Sequence, residues 1–509
     1  MKRFAARYFL LIFPWLFATG ALAQAPASHV AETANRPARK TPPVASAGQH
    51  LFGAIPLSTE SREARKFIEL AWDKYENSMY DDAIVNARHA TEKDPQSALS
   101  YALLSFVARR GVPNSAALAK AKSLLPRTTS DEQLLVRWMT SIQERDLLPA
   151  IMNMNDLLKH YSKDKHVLYL TAEWLYLQQD YDRARTMMET ALQIDPNFPA
   201  VLNRLGYVYA EAGEIANAVA SLKRYAEVEP GSPNPEDSLG EVLRASGDDR
   251  GSLEHYSAAL QIDPTYFTSQ IGLGGTLTLM GDFSSARKEY DRAFQIAENP
   301  RDELNAKYQK ALVYFWEGNA AAGRKELAAL SEQAADKKEP NMQFAIALGR
   351  AMLAGNAQDE LEQLGALATS LEQPLAGMSE SDRGIARATV LRERVRVAAL
   401  NGLPDLAASA VSKLASLATS SRDLVVENAY ESARGFALFQ QGDFSNAADE
   451  LAADSHSPLA LQQLAITQEK LGKPDAAEST RTLIKYQRGP AVEWFLVTHP
   501  DTGKSLGFS

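Results

Sequence analysis

The chain has 509 residues, 45% of them hydrophobic and 23% charged, a formal net charge of −9 and no cysteine. That length exceeds what one compact core usually serves, and the composition is that of a folded protein, so several domains or a repetitive array are expected and chain-wide disorder is excluded. The missing cysteine excludes disulfides, thiolate catalysis, a thioether lipid and Cys-based zinc sites, while the acidic balance disfavours nucleic acid and anionic lipid as partners.

Lys2, Arg3 and Arg7 form a basic start, residues 8–18 an apolar stretch broken only by Pro14, and Ala21-Leu22-Ala23 a small-x-small pattern before Gln24. Together they predict a secretory signal over 1–23, cleaved because the stretch is shorter than the about 20 residues of a membrane span. An uncleaved anchor is the alternative. No other long apolar run follows, so the mature chain is expected to be soluble, periplasmic in the first instance and secreted in the second. Residues 24–57 carry Pro26, Pro37, Pro42, Pro43 and Pro56 among small and polar residues. They predict a flexible linker, with Leu51-Phe52 the part best suited to dock.

From about Ser58 the pattern becomes helix after helix. Pro196, Pro230 and Pro264 stand 34 residues apart, each behind an acid: Asp195, Glu229 and Asp263. A residue before proline is pushed out of the helical region, so each pair closes one unit and opens the next. Between them other positions keep step. Leu205-Gly206, Tyr209, Gly213, Ala218 and Leu222 recur as Leu239-Gly240, Leu243, Gly247, Ser252 and Tyr256, then as Leu273-Gly274, Leu277, Gly281, Ala286 and Tyr290, with Ala259 and Ala293 34 apart behind the last two. A fourth unit from Lys165 holds Thr171-Ala172, Leu175, Ala184, Met188 and Ala191. Small residues leave room where helices cross closely, large ones fill the adjoining holes, and Gly213, Gly247 and Gly281 permit a left-handed turn.

This spacing resembles the tetratricopeptide repeat (TPR) family, whose 34-residue unit is a pair of antiparallel helices. The match is specific over 165–297 and decays outward. Upstream, Phe67, Leu70, Ala71 and Tyr75 mark one helix and Tyr80, Ala83, Ile84, Ala90 and Asp94-Pro95 its partner; two degenerate pairs, with Pro113 and Pro126 near turns, are expected before Lys165. Downstream, Gly318, Gly355, Gly402, Gly442 and Gly472 sit at expected inter-helix turns, and Phe444, Ala447 and Leu451 repeat the second-helix signature. The expectation is an all-α fold, an α-α superhelix of about 11–12 helix pairs over 58–488. Repeats occupy 58–300, divergent TPR-like hairpins 301–490 (weakest over 340–425), and a cap and tail 491–509. The apolar run 492–497 is expected to cover the last pair, with a partner-docking strand as the second reading.

Motifs for chemistry are incomplete. Asp501-Thr502-Gly503-Lys504-Ser505 lacks the upstream glycine and following helix of a phosphate loop, because Thr498 stands where that glycine belongs. Gly272-Leu273-Gly274-Gly275 lies inside a predicted helix, where packing explains its small residues. The eight histidines (His29, His50, His89, His160, His166, His255, His456 and His499) form no i, i+4 metal pair. No Gly-x-Ser-x-Gly elbow occurs, so no catalytic residue, metal or cofactor is assigned and the chain is read as a non-enzyme.

The TPR resemblance implies that the first helix of each pair lines a concave face. Transferred to this chain it assigns Tyr169, Glu173 and Tyr176, then Asn203, Arg204, Ala210 and Tyr207, then Asp237, Glu241 and Arg244, to partner contact. The carboxylate clamp of TPR domains that capture chaperone C-termini is not reproduced, since Glu173 and Glu241 flank Asn203 and Tyr207 where basic and amide residues belong. The reading is an exported TPR scaffold binding a protein or peptide partner through its concave face, in envelope assembly or secretion. The rivals are an enzyme or carbohydrate-processing accessory with an acidic pocket, for which 340–425 is the candidate region, and a self-assembling structural protein.

Overall fold

In a computed structural model of the chain, residues 55–500 are described apart from breaks at 78, 108–114, 145–146, 178–179, 379 and 422. The expected signal over 1–23, most of the expected linker over 24–57, Leu51-Phe52, Pro113, and the tail from 501 with its phosphate-loop fragment lie outside the described residues. Every regular element among the described residues is helical.

Described residues 55–209 and 216–235 gather in one compact unit, and 210–215 with 236–500 in a second. The first holds α1 (Arg62–Glu76) with α2 (Tyr80–Lys93), α3 (Ala98–Val107) with α4 (Ser115–Leu124), and α5 (Ser130–Glu144) with α6 (Leu147–His160). Then come α7 (Lys165–Leu177) with α8 (Tyr181–Ile194), and α9 (Pro199–Glu211) with α10 (Ile215–Val228). The second unit holds α11 (Asn234–Ser246) with α12 (Asp249–Ile262), α13 (Phe267–Met280) with α14 (Phe283–Ile296), and α15 (Pro300–Trp316) with α16 (Ala320–Asp336). It continues with α17 (Pro340–Met352) and α18 (Ala357–Ser370), α19 (Glu380–Leu400) and α20 (Pro404–Ser421), and α21 (Leu424–Gln440) and α22 (Phe444–Leu451). The pair α23 (Pro458–Lys470) and α24 (Pro474–Lys485) follows, and α25 (Val492–Thr498) stands alone. The described helices therefore make twelve hairpins, the upper end of the expected number.

One device recurs in the hairpins from α9 onward. In the pair α13/α14, Gly281 closes the first helix at φ 83° and the next residue, Asp282, accepts the Ser285 amide at 3.1 Å as N-cap of the second helix. A left-handed glycine thus reverses the chain while a short acid satisfies an amide the new helix leaves open. The remaining glycines expected at such turns, from Gly213 to Gly472, also have positive φ. Between hairpins a second device operates. Asp195 and Asp263 leave their helices in extended conformation, and each carboxylate accepts the amide two residues on, at 3.1 and 3.0 Å.

Packing between hairpins follows the small-against-large register. Tyr256 of α12 is 1% exposed, and a Cβ placed on Gly240 of α11 or Gly272 of α13 would come within 2.8 or 2.3 Å of its ring. Glycine is needed there because the ring fills the space on both sides. The Gly272-Leu273-Gly274-Gly275 run is thereby absorbed into packing. Through 340–425 the signature is lost but hairpins continue, with α19 extended to 21 residues.

The C-terminal segment differs from the second reading, a partner-docking strand. It is a helix rather than a strand, and it does more than cover α23 and α24. The Phe495 ring centroid lies 6.2 Å from Phe315 and 5.3 Å from Trp316, both on α15, while Val492 shares a core with Leu312, Leu353 and Leu459. The segment therefore lies along the first helices of the second unit. Its apolar residues meet apolar partners there, and Glu493 finds a buried arginine that the last pair alone does not supply.

Candidate partner-binding faces

In the first unit the face formed by first helices is built around two ion pairs. Glu76 at the end of α1 is 4% exposed; the Trp72 indole N–H donates to it at 2.7 Å, and His166 Nδ1 of α7 lies 3.0 Å from both its oxygens. Burial by itself lowers the basicity of His166, and the Glu76 carboxylate outweighs that and raises it. Further along, Arg204 of α9 grips Glu173 of α7 with two N–H donors, one of them at 3.1 Å to Oε2. The same guanidinium lies 4.8 Å from the Tyr176 ring centroid and 5.9 Å from that of Tyr207. One cation thus holds a carboxylate and two aromatic faces in fixed relation.

The residues assigned here divide by burial. Tyr169 is 4% exposed and packs on Phe198, and Glu173 is 8% exposed, so both support the face from beneath. Tyr176, Asn203, Arg204 and Tyr207 are half-buried and keep surface open to solvent. The expectation that all of them present surface to a partner is corrected for Tyr169 and Glu173, because Tyr169 packs in the core and Glu173 neutralises Arg204 internally.

The second unit treats Asp237, Glu241 and Arg244 of α11 differently. Asp237 is 1% exposed and accepts from the Ser269 hydroxyl at 2.6 Å; burial pushes its carboxyl up to about 7. Arg244 is 4% exposed with its guanidinium 5.7 Å from the Tyr256 ring centroid, and half-buried Glu241 lies 4.0 Å from it. The expectation of partner contact is corrected for both residues: Asp237 is buried against Ser269 of α13, and the chain's own C-terminal segment lies against Arg244. Arg488 donates to the Arg244 carbonyl at 2.9 Å and to both Asp249 carboxylate oxygens at 2.5 and 2.8 Å. Pro490 lies where a Cβ on Gly275 would come within 3.0 Å of it.

Beyond α11 the segment enters a buried charge network. Arg392 of α19 donates to Asp454 at 2.9 Å, to Glu493 of α25 at 2.8 Å and to Glu393 at 3.2 Å. Arg396 joins Glu393 at 2.7 Å and Glu360 of α18 at 3.1 Å, while Ser432 and Ser457 donate to Asp454 and Glu493. Four carboxylates share two guanidiniums, so the network is neutral only when two carboxyls hold protons. Burial pushes Glu360 and Glu493 up to about 7.

Residues 175–236, which run from the last turn of α7 to the start of α11, match the tetratricopeptide repeat family model. Over that stretch the chain carries TPR repeats. Among curated proteins no relative matches. Similar solved structures include a TPR protein from Parabacteroides merdae, 13% identical over 56% of this chain and 99% of that one, with a TM-score of 0.34. PilW, a type IV pilus biogenesis factor, is 20% identical over 42% and 96%, with a TM-score of 0.34. YrrB, a TPR protein with an unusual peptide-binding site, is 16% identical over 38% and 96%, with a TM-score of 0.27. At this level the likeness carries no argument about partner or activity.

In the TPR frame, the residues that sequence reasoning missed are those of the Arg392 network and the segment from Arg488 to Phe495. A signal for the first was present: Arg392-Glu393-Arg394-Val395-Arg396 places charge on successive positions of a helix otherwise rich in Val, Leu and Ala, so some of that charge has to be buried. Among the described residues no group of three or more His, Asp or Glu is placed to hold a metal. A further groove of about 550 Å³ lies between α12 and α14, floored by Leu273 and Leu277 of α13.

Proposed function

We propose that this protein is an exported TPR scaffold that binds a protein or peptide partner through faces formed by its first helices, in the service of envelope assembly or secretion. TPR arrays of this build are scaffolds for protein–protein interaction. The supporting observation is the α7/α9 face, where Arg204, fixed by Glu173, holds Tyr176 and Tyr207 as rigid aromatic surface beside Asn203. Aromatic anchors held in place before binding cost little entropy on association and suit an amide-rich or basic segment. Binding is favoured over catalysis because the acidic cluster next to 340–425 is spent internally on Arg392, Arg396, Ser432 and Ser457.

A photo-crosslinking residue at Tyr207, compared with one at exposed Lys223 on α10, tests this in cells. A discrete adduct from position 207, lost when Tyr176→Ala is added and helical content is unchanged, is the expected result. Equal adducts from both positions, or none from 207, remove the reading. Mass analysis of the mature N-terminus tests export; a chain beginning at Gln24 is expected, and an intact Met1 overturns it.

A further inference from the structure

We propose that the face along the first helices of the second unit is a peptide-binding groove which the chain's own residues 488–498 fill in cis, and that a partner segment presenting a guanidinium, a proline, a carboxylate and an aromatic ring in that order displaces them. The inference rests on first helices being the recognition face, and it adds a second site, its ligand chemistry and its resting state.

The contacts define the ligand position by position. Arg488 is held by both oxygens of Asp249 and by the Arg244 carbonyl, a bidentate geometry that discriminates arginine from lysine. Pro490 is buried against Gly275, where the absence of a side chain admits the ring. Glu493 meets Arg392 at 2.8 Å and the Ser457 hydroxyl at 3.1 Å. Phe495 sits against Phe315 and Trp316, and the Val497 carbonyl accepts from Gln462 of α23 at 3.1 Å.

Short anchors spaced along a segment that bends and then turns helical, each met by its own partners on a helical array, are how a groove reads a peptide. Nothing in this geometry requires the ligand to be covalently joined to α24. The groove faces an occupant whose charges are complementary at two separated points, an acid for Arg488 and a base for Glu493, so polarity along the groove is set as well as composition.

Occupation in cis sets the affinity a partner has to overcome. A tethered segment acts at an effective concentration on the order of 1 mM, so a free peptide with a dissociation constant of about 10 μM binds the occupied protein about 100-fold more weakly. The test uses the full-length chain and a labelled synthetic peptide with the sequence of residues 486–500. Wild type is compared with the triple variant Arg488→Glu, Glu493→Ala, Phe495→Ala, which changes the occupant and leaves every groove residue intact. The expected result is binding to the triple variant at least ~30-fold tighter than to wild type, lost for a scrambled peptide and lost when Asp249→Ala is added. No binding to a folded triple variant, or equal binding to both proteins, overturns the proposal.

Should the triple variant fail to fold, hydrogen exchange on wild type decides. Excess peptide is expected to expose the amides of 492–498, and unchanged protection overturns the proposal. Crosslinking from Tyr207 does not depend on this groove, so failure here and failure of the α7/α9 reading are separately visible.

Discussion

Arg392→Met keeps most of the side chain's length and removes its charge from the middle of the second unit. Asp454, Glu493 and Glu393 then lose a donor at 2.9, 2.8 and 3.2 Å. Glu393 keeps Arg396 at 2.7 Å, and the two serines remain on Asp454 and Glu493, so the damage falls on two half-served carboxylates. Removing one member of a buried ion pair costs about 3–5 kcal/mol. In domains of this size class each kcal/mol moves the midpoint by about 2–4 °C, so the transition of this unit should fall by roughly 6–20 °C. The loss should be largest at about pH 8 and smaller at about pH 5, where the stranded carboxyls escape by taking protons. Calorimetry at both pH values measures it, and hydrogen exchange on α19 assigns the transition. Adding Glu493→Gln should return on the order of 1–2 kcal/mol at the higher pH, because the stranded charge is then absent. A drop below about 2 °C at both pH values, or one independent of pH, would refute the reasoning.

Four further outcomes follow, one from the same network and three from other parts of the molecule. Glu360 and Glu493, both pushed up to about 7 by burial, hold protons in the folded network that free glutamates release, so their contribution is full below about pH 4.5 and is lost as pH rises through about 7. The groups facing Glu493 are Arg392, Glu393, Asp454 and Ser457, and amides 492–498 should exchange faster at about pH 8 than at about pH 5.5 after correction for intrinsic rates; equal protection contradicts this. Gly272→Ala places a Cβ 2.3 Å from the Tyr256 ring, and overpacking of about 1–3 kcal/mol exceeds the about 1 kcal/mol gained in helix propensity, so stability falls. Gly384→Ala in α19, where a Cβ meets nothing within 4 Å, should instead stabilise by about 0.5–1 kcal/mol, and denaturant titration of the two variants should give opposite signs. Asn319→Ala removes the cap on the Ala322 amide and should cost about 1 kcal/mol by the same titration.

The hairpin array was legible because its signals are local. A proline behind an acid, a glycine followed by Asp or Asn, and an alternation of small with large residues each act within one unit and its neighbour, so Gly281 and Asp282 announce a turn wherever the array bends. Tyr256 between Gly240 and Gly272 was readable for the same reason, since the partners stand at fixed offsets. The face residues were placed on the correct helices by that register, but their exposure was not. Tyr169 and Asp237 occupy face positions and are buried all the same, because burial depends on what the rest of the chain lays over them.

What the amino-acid order determined by itself is therefore the helical hairpin, its turns and the register that nests one pair on the next, all set by contacts between residues close in the chain. Only the tertiary structure decided that Arg488 reaches Asp249 across 239 positions, that Glu493 meets Arg392 across 101, and that the C-terminal segment lies along the first helices of the second unit. A lone charge in a sequence does not name its counter-charge. Desolvation makes burial of either one costly alone, and the fold supplies the pairing that makes both burials possible.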